Sequence, residues 1–196
     1  MKPHEVENRM GSLPEERRLV EQAKSGDAEA FAQLYDASME RVYRYVFFRV
    51  SDRQTAEDLT SQVFLKAWEK LESYHPKGPF LSWLYAIARN TVIDHYRTQK
   101  QTVSLEDAGP MAADNDGLED VMEFHFEMKS VQAAMQHLTD EQKEVLILRF
   151  IAEFDTDEIA RRMDKSEGAV RALQMRALQA LAKVIDLNEQ RTNGAF

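Results

Sequence analysis

The stretch DEIARRMDKSEGAVRALQMRA, residues 157–177, has the pattern of two short helices joined by a turn. Apolar or small residues recur at three- and four-residue spacings on both sides of the turn, namely Ile159, Ala160, Val170, Leu173 and Ala177. Asp164 lies in the turn, and aspartate tolerates the left-handed backbone conformation better than most residues. Ser166 follows as a cap for the second helix. The stretch therefore predicts a helix-turn-helix.

The second predicted helix carries polar side chains on its outward side. These candidate residues are Ser166, Glu167, Arg171, Gln174 and Arg176. Residues 161–183 contain six basic and two acidic side chains, a local net charge of +4. Such a helix suits the major groove of DNA, where arginine can bond guanine with two hydrogen bonds. A helical hairpin with a solvated basic face is the alternative that spacing and charge leave open.

The negative charge of the chain is concentrated in one segment. The formal net charge is −9, yet residues 101–128 hold eight acidic and no basic side chains, and the flanking halves are close to neutral. The acidic pI therefore does not argue against nucleic-acid binding by either half. Residues 101–127 contain Gly109, Pro110 and Gly117 and little periodicity, which predicts a flexible acidic linker.

Helical periodicity also dominates the rest of the chain. Apolar residues recur at threes and fours through residues 15–50, 53–73 and 80–99, and these patterns place Trp68, Ile93 and Tyr96 on inward faces. The YHPKGP segment, residues 74–79, must be a loop because two prolines and a glycine cannot continue a helix. Further along, Thr139 and Gln142 have capping-box spacing.

The chain is therefore predicted to be all-α, with two helical domains joined by the acidic linker. No strand alternation competes with the helical patterns. The predicted boundaries are an N-terminal tail at 1–14, a first domain at 15–100, the linker at 101–127, a second domain at 128–187 and a C-terminal tail at 188–196.

Composition argues against catalysis and membrane insertion. The chain has no cysteine, its five histidines lack metal-ligand spacing, and it contains no glycine-rich phosphate loop and no nucleophile elbow. We therefore predict no catalytic residue, no metal, no cofactor and no small-molecule substrate. No apolar run approaches the ~18 residues of a membrane span, so we expect a soluble, cytoplasmic protein.

Two further segments of the first half carry surface chemistry. AEDLTSQVFLKAW, residues 56–68, has an outward row consisting of Asp58, Ser61, Gln62 and Lys66, which by itself is ordinary helix surface. YHPKGPFLSWLYAIARN, residues 74–90, interleaves aromatic rings with cations. Aromatic rings beside cations suit single-stranded bases, although each single ring is more often part of a core.

The ordered set of motifs resembles a known family. AEDLTSQVFLKAW, FLSWLYAIARNTVIDHYR, LTDEQKEVLILRF, DEIARRM and SEGAVRALQMRA follow one another as in bacterial RNA polymerase sigma factors of the extracytoplasmic-function (ECF) class of the sigma-70 family. The resemblance covers roughly residues 15–100 and 128–185. It implies a region 2 helical bundle, a region 4 helix-turn-helix, and a function in promoter recognition, −10 melting and transcription initiation.

The resemblance also implies roles for individual positions. Asp58, Ser61, Gln62 and Lys66 would bind core RNA polymerase. The −10 element of promoter DNA would be contacted by Tyr74, His75, Lys77, Arg89, Asn90, Arg97 and Lys100, with one base flipped into the loop at 74–79. The −35 element would be read by Ser166, Glu167, Arg171, Gln174 and Arg176. The family's usual regulator is an anti-sigma factor.

Three departures from the family pattern limit this transfer. Ser61-Gln62 replaces the usual Gln-Glu pair, so one carboxylate expected at the polymerase interface is absent. Asp164 replaces a usual glycine, and the recognition helix lacks the frequent Lys-Ser-Arg pattern, so its DNA preference is the chain's own. A stand-alone helix-turn-helix regulator is the alternative function, but it leaves residues 56–90 without a role.

Overall fold

The computed structural model describes residues 13–50, 52–75, 78–103 and 131–193. The regular structure of these residues is helical throughout, in agreement with the predicted all-α class. The helices are α1 (Leu13–Lys24), α2 (Ala28–Phe47), α3 (Arg53–Lys70), α4 (Phe80–Val103), α5 (Asp140–Leu146), α6 (Thr156–Met163) and α7 (Glu167–Asn193). Residues 104–127 of the predicted linker, and the predicted tails up to Ser12 and from Gly194, lie outside the described residues. The predicted boundaries were wrong at three points, because α1 begins at Leu13, α4 continues to Val103 and α7 continues to Asn193.

Local capping explains where most helices begin. Asp27 caps α2 by accepting hydrogen bonds from the amides of Glu29 and Ala30, and Asp52 does the same for α3 through Thr55. The Thr139 hydroxyl and Gln142 side chain form the predicted capping box at α5. Gly26 ends α1 with φ of 95°, a conformation that glycine adopts without steric cost.

The chain divides into two compact units. One consists of the residues up to Val46 together with Ala56–Thr102, and the other of Phe47–Thr55 together with the residues from Val103 on. This grouping differs from the predicted domains at Phe47–Thr55. The difference arises because Gln132 donates hydrogen bonds to the carbonyls of Phe47 and Val50, at 2.7 and 2.9 Å.

The first unit is a bundle whose core lies between α2, α3 and α4. Its central buried residues are Val42, Tyr45, Val46, Ala56, Val63, Ala67, Leu84 and Ala88. The rings of Tyr45 and Tyr85 pack 4.7 Å apart and join α2 to α4. Helix α3 ends in a single 3₁₀ turn, Leu71–Ser73, which packs against α1.

The apolar helical patterns of the sequence also contain side chains that are exposed: Tyr35 and Met39 on α2, Trp68 on α3, and Ile93 and Tyr96 on α4. Trp68 contacts Phe31 edge-on at 4.8 Å but leaves much of its ring in solvent. The prediction that these side chains face inward was wrong because the apolar stripe that fits the core is narrower than the apolar pattern of the sequence.

In the second unit, α5 and α6 both pack against α7. The core is formed by Val145, Ile147, Leu148, Ile159, Val170 and Ala177. Between α5 and α6 the chain forms a π-helical segment, Ile147–Ile151, which the sequence analysis did not predict.

Candidate nucleic-acid interface

The predicted helix-turn-helix is formed by α6, a short turn and α7. Asp164 adopts the left-handed conformation, with φ of 53° and ψ of 50°, as expected for the turn. The Lys165 amide closes the end of α6 by donating to the carbonyl of Ala160 at 2.9 Å. The Ser166 hydroxyl caps α7 by accepting from the amide of Ala169 at 3.2 Å. Both helix ends at the turn are thus defined by local hydrogen bonds.

The two faces of the helix-turn-helix divide as predicted. Its inward residues Ile159, Ala160, Val170, Leu173 and Ala177 are all buried. Four of the five candidate −35 residues, Ser166, Glu167, Arg171 and Arg176, are exposed, and Gln174 is half-buried at the edge of the core.

The candidate residues of α7 do not share a single stripe. Arg171 and Gln174 lie four and seven residues after Glu167 and therefore follow the same side of the helix. Arg176 lies nine residues after Glu167, about two and a half turns, and so falls on the opposite flank. The surface between the flanks includes Met175, which is 63% exposed. Arg176 therefore cannot contact the same base edges as the Glu167 stripe.

Most basic side chains of the helix-turn-helix are paired with carboxylates. Within α7, Arg171 bonds Glu167 at 2.5 Å. Other cations pair with carboxylates outside the basic segment itself: Arg161 with Asp157, Arg162 with Glu158, and Lys165 with Glu141.

These pairs lower the effective charge of the surface. The three carboxylates from outside residues 161–183 reduce the local net charge from +4 to +1. Exposed ion pairs contribute only about 0–1 kcal/mol each, so a phosphate or guanine can displace the carboxylate partner. The helix-turn-helix is therefore suited to weak, exchangeable contacts with DNA.

A second polar surface lies on α4. Arg89, Asn90 and Arg97 are exposed, and Arg97 pairs with Asp94 at 3.0 Å. Helical spacing places Ile93 and Tyr96 on this same face. The surface therefore combines cations and an amide with exposed apolar groups, which is the chemistry that stacks on and binds opened DNA strands. Lys100 falls on α4, but its side chain lies outside the described residues.

Tyr74, the first residue of the loop at 74–79, bridges the loop with its side chain. Tyr74 is only 5% exposed, its ring packs on Phe80 and Trp83, and its hydroxyl donates to the carbonyl of Gly78 at 3.2 Å. Burial, and then the nearby Glu16 carboxylate, raise the pKa of Tyr74 above 10.0, while Arg17 acts in the opposite direction.

In this conformation Tyr74 shapes the loop and offers no ring face for a base. His75 is exposed, with Nδ1 2.8 Å from the carbonyl of Ser73. Lys77 lies outside the described residues. Among the described residues of the loop, the exposed ones that could meet a base are His75, Gly78 and Pro79.

The polar row of α3 surrounds an apolar side chain. Asp58, Ser61 and Gln62 are exposed as predicted, and Leu65, on the same face, is 64% exposed. Lys66 differs from the other candidates. It is half-buried and donates to the Thr91 hydroxyl at 3.1 Å, which ties α3 to α4.

Sequence reasoning did not select several residues of these surfaces. They are Leu65 on α3, Ile93 and Tyr96 on α4, and Met175 on α7. Each lies between polar candidates at helical spacing, and that position was the available signal. Apolar side chains at the centre of a polar face are typical of interface cores.

Among the described residues, no group of three or more His, Cys, Asp or Glu side chains could hold a metal ion. In the same part of the chain, no helix is long and apolar enough to cross a membrane.

Two family models match the chain. The model for Sigma-70 region 2 matches residues 34–102, and the model for Sigma-70, region 4 matches residues 128–181. The first covers most of α2, then α3, the loop at 74–79 and α4 up to Thr102. The second covers the helix-turn-helix.

Curated relatives show the same resemblance over most of the chain. It is 37% identical to the ECF RNA polymerase sigma factor BldN of Streptomyces coelicolor over 85% of this chain, and it spans 64% of that relative's length. It is 30% identical to the ECF RNA polymerase sigma factor SigX of Bacillus subtilis, over 81% of this chain and 85% of that relative.

A solved structure shows the same fold. The sigma factor RpoE from Bartonella quintana, solved in complex with the anti-sigma factor NepR, is similar with a TM-score of 0.64 and 21% identity. The match covers 81% of this chain and 98% of that chain.

Proposed function

The chain belongs to the ECF class of sigma-70 factors, and on this premise we propose that it directs core RNA polymerase to promoters as an alternative sigma factor. It would bind core polymerase, recognise a promoter at two elements and help open the −10 element. As an initiation factor it would catalyse no reaction by itself and would require no cofactor. This function would place the chain in the cytoplasm, where bacterial transcription takes place.

The observation that carries the proposal is the exposed face of α4. Arg89, Asn90 and Arg97 share it with Ile93 and Tyr96, in the unit that lacks the helix-turn-helix. A stand-alone helix-turn-helix regulator needs only α6 and α7 to read duplex DNA. A second surface with an exposed aromatic ring, an exposed aliphatic side chain and cations fits a protein that also holds opened strands.

We assign three surfaces to three tasks. The α3 face with Asp58, Ser61, Gln62 and Leu65 would dock on core polymerase. The α4 face and the loop at 74–79 would capture the −10 element, since base flipping selects sequence during melting. The Glu167 stripe of α7 would read −35 bases, and Arg176 on the opposite flank would contact the phosphate backbone.

From the paired charges of the helix-turn-helix we infer that its binding to DNA depends on polymerase. A protein that neutralises few phosphates gains little affinity from counterion release. With a local net charge of +1, the second unit would bind duplex weakly on its own. Polymerase would supply the remaining affinity by tethering both DNA surfaces in one complex.

An anti-sigma factor is the proposed regulator. RpoE, which shares the fold, was solved with the anti-sigma factor NepR. By analogy, a protein that covers the α3 face of this chain would prevent docking on polymerase. Leu65 gives that face an apolar centre around which a competing partner could pack.

In vitro transcription tests the proposed function. The purified chain is added to sigma-free core polymerase on fragmented host DNA, and transcript 5′ ends are mapped. We expect discrete starts that share two upstream motifs. Absence of such starts, together with tight duplex binding by the chain alone, would establish the stand-alone regulator instead.

A further inference from the structure

We propose that helix α1 belongs to the −10 recognition apparatus, because the side chains of Glu16 and Lys24 hold the two ends of the loop at 74–79. The inference rests on the proposed function, which assigns that loop to a flipped base. Helix α1 ends at Lys24, and the match to Sigma-70 region 2 begins only at residue 34. Glu16 and Lys24 are positioning residues, since they act through the loop.

Glu16 holds the end of the loop that leads into α4. Its side chain carries a carboxylate, yet the residue is only 6% exposed, and Oε1 accepts a hydrogen bond from the amide of Phe80 at 2.8 Å. Phe80 is the first residue of α4, where backbone amides have no partner within the helix. Pro79 precedes it and has no side-chain acceptor to serve as a cap. The cap therefore comes from α1, 64 residues upstream.

The charge of Glu16 suits this position. The amino end of a helix carries a partial positive charge, so a carboxylate there is stabilised. A buried carboxylate is costly without hydrogen bonds, and its bond to Phe80 offsets that cost. The contact thus places a specific requirement on residue 16: an acceptor that reaches the first amide of α4.

Lys24 holds the opposite end of the loop. Its Nζ donates to the carbonyl of Tyr74 at 3.2 Å. Val20 and Ala23 are buried, so α1 is anchored to the unit independently of the two polar contacts. Glu16 and Lys24 are eight residues apart on α1, about 12 Å along the helix axis. They therefore contact the loop at two separate points.

The two contacts fix the ends of a short segment that a third hydrogen bond spans. The Tyr74 hydroxyl donates to the carbonyl of Gly78 across the loop, and Pro79 restricts the backbone just before α4. Capture of a base by a pre-shaped loop avoids the entropy cost of ordering the loop at that moment. Loss of either contact from α1 should therefore weaken base capture more than it weakens other contacts of the protein.

The experiment measures base capture by the complete holoenzyme. Fork-junction DNA, with the −10 region already single-stranded, is bound to core polymerase carrying the wild-type chain, and an abasic site is moved through the −10 element. The position with the largest loss of affinity reports the captured base. A stacked base contributes roughly 5- to 150-fold in affinity, so the ratio of affinities for intact and abasic probes is readily measured.

Four variants are compared with the wild-type chain. Glu16→Ala and Lys24→Met each remove one contact, and Glu16→Gln keeps an acceptor for the Phe80 amide without the charge. Glu15→Ala is the matched control, because Glu15 is an exposed neighbour whose side chain pairs only at the surface with Arg18 at 3.7 Å.

We expect Glu16→Ala and Lys24→Met to lower the intact-to-abasic ratio by at least about threefold, a clear part of the stacking contribution. Glu16→Gln should restore much of the ratio, and Glu15→Ala should match the wild type. Affinity for core polymerase without DNA should be unchanged in all four. If Glu16→Ala does not fold, Lys24→Met provides the same comparison, because it removes the contact at the other end of the loop.

Two results would overturn the inference. An unchanged ratio in the contact variants would show that the loop does not depend on α1. An equal loss of affinity for intact and abasic probes would show a general structural role without an effect on base capture. If instead the wild-type holoenzyme shows no sensitive position at all, the assignment of the loop to the −10 element is wrong, which is a separate failure.

Discussion

We expect Leu65→Ala to weaken binding to core RNA polymerase about 5- to 30-fold. Leu65 is 64% exposed and lies among Asp58, Ser61 and Gln62 on α3. Full burial of a leucine side chain contributes about 1.5–3 kcal/mol. Since about two thirds of Leu65 remains to be buried on docking, removing it costs about 1–2 kcal/mol of binding free energy, which gives the stated factor.

We expect Leu65→Ala to leave the free energy of unfolding almost unchanged. Exposed substitutions usually change the free energy of unfolding by less than about 0.5 kcal/mol, and alanine favours a helix at least as well as leucine does. Leu65→Met should retain most of the affinity because it conserves the volume. Ile93→Ala is the matched control, as it removes an exposed apolar side chain from α4, which is assigned to DNA.

The assay is equilibrium binding of the labelled chain to core polymerase without DNA, with urea unfolding of each variant in parallel. Unchanged affinity in Leu65→Ala would refute the assignment of the α3 face to polymerase docking. An equal loss in Ile93→Ala would refute the separation of the polymerase and DNA surfaces.

Three further perturbations test other parts of the structure. Arg171→Ala should lower holoenzyme affinity for a promoter by about 1–3 kcal/mol if Arg171 reads a −35 base, and gel-shift titration against promoters altered at each −35 position should show lost discrimination at one of them. Thr139→Ala removes the capping box of α5 and should lower the free energy of unfolding by about 1 kcal/mol, measured from urea midpoints. The pKa of Tyr74 is raised in the folded state, so the folded chain keeps the phenolic proton to a higher pH than the unfolded chain does. Titration of Tyr74 should therefore leave the free energy of unfolding unchanged below pH 10.0 and lower it as the pH rises above 10.0. Tyr74→Phe should flatten this alkaline fall in urea midpoints, and an identical fall in both proteins would contradict the stated cause.

Local features of the fold could be predicted because their determinants lie within a few residues of each other. The capping box at Thr139 and the left-handed turn at Asp164 each depend on contacts over three or four residues. The buried face of the helix-turn-helix followed from helical spacing for the same reason. The π-helical segment at Ile147–Ile151 could not be predicted from helical spacing, because the apolar pattern there fits an ordinary α-helix equally well.

The candidate surfaces were only partly predictable. Spacing identified the exposed polar residues, such as Asp58, Arg89 and Arg171, because polarity alone favours solvent. It could not identify Leu65 or Tyr96 as exposed, since an apolar side chain at helical spacing is buried only if another element covers it. It also placed Tyr74 at the DNA surface, whereas the structure packs its ring against Phe80 and Trp83.

The sequence by itself determined the all-α class, the helix-turn-helix and the membership in the sigma-70 family, because helical periodicity, caps and ordered motifs are all encoded in short spacings. The ion pairs within α6 and α7 join residues four apart and so follow from helical spacing, whereas only the tertiary structure decided the partner of Lys165 and what holds the loop at 74–79. Lys165 meets Glu141 across 24 residues, and Glu16 meets Phe80 across 64. Such pairs form because packing of the helices brings distant side chains together, and no local spacing specifies that packing.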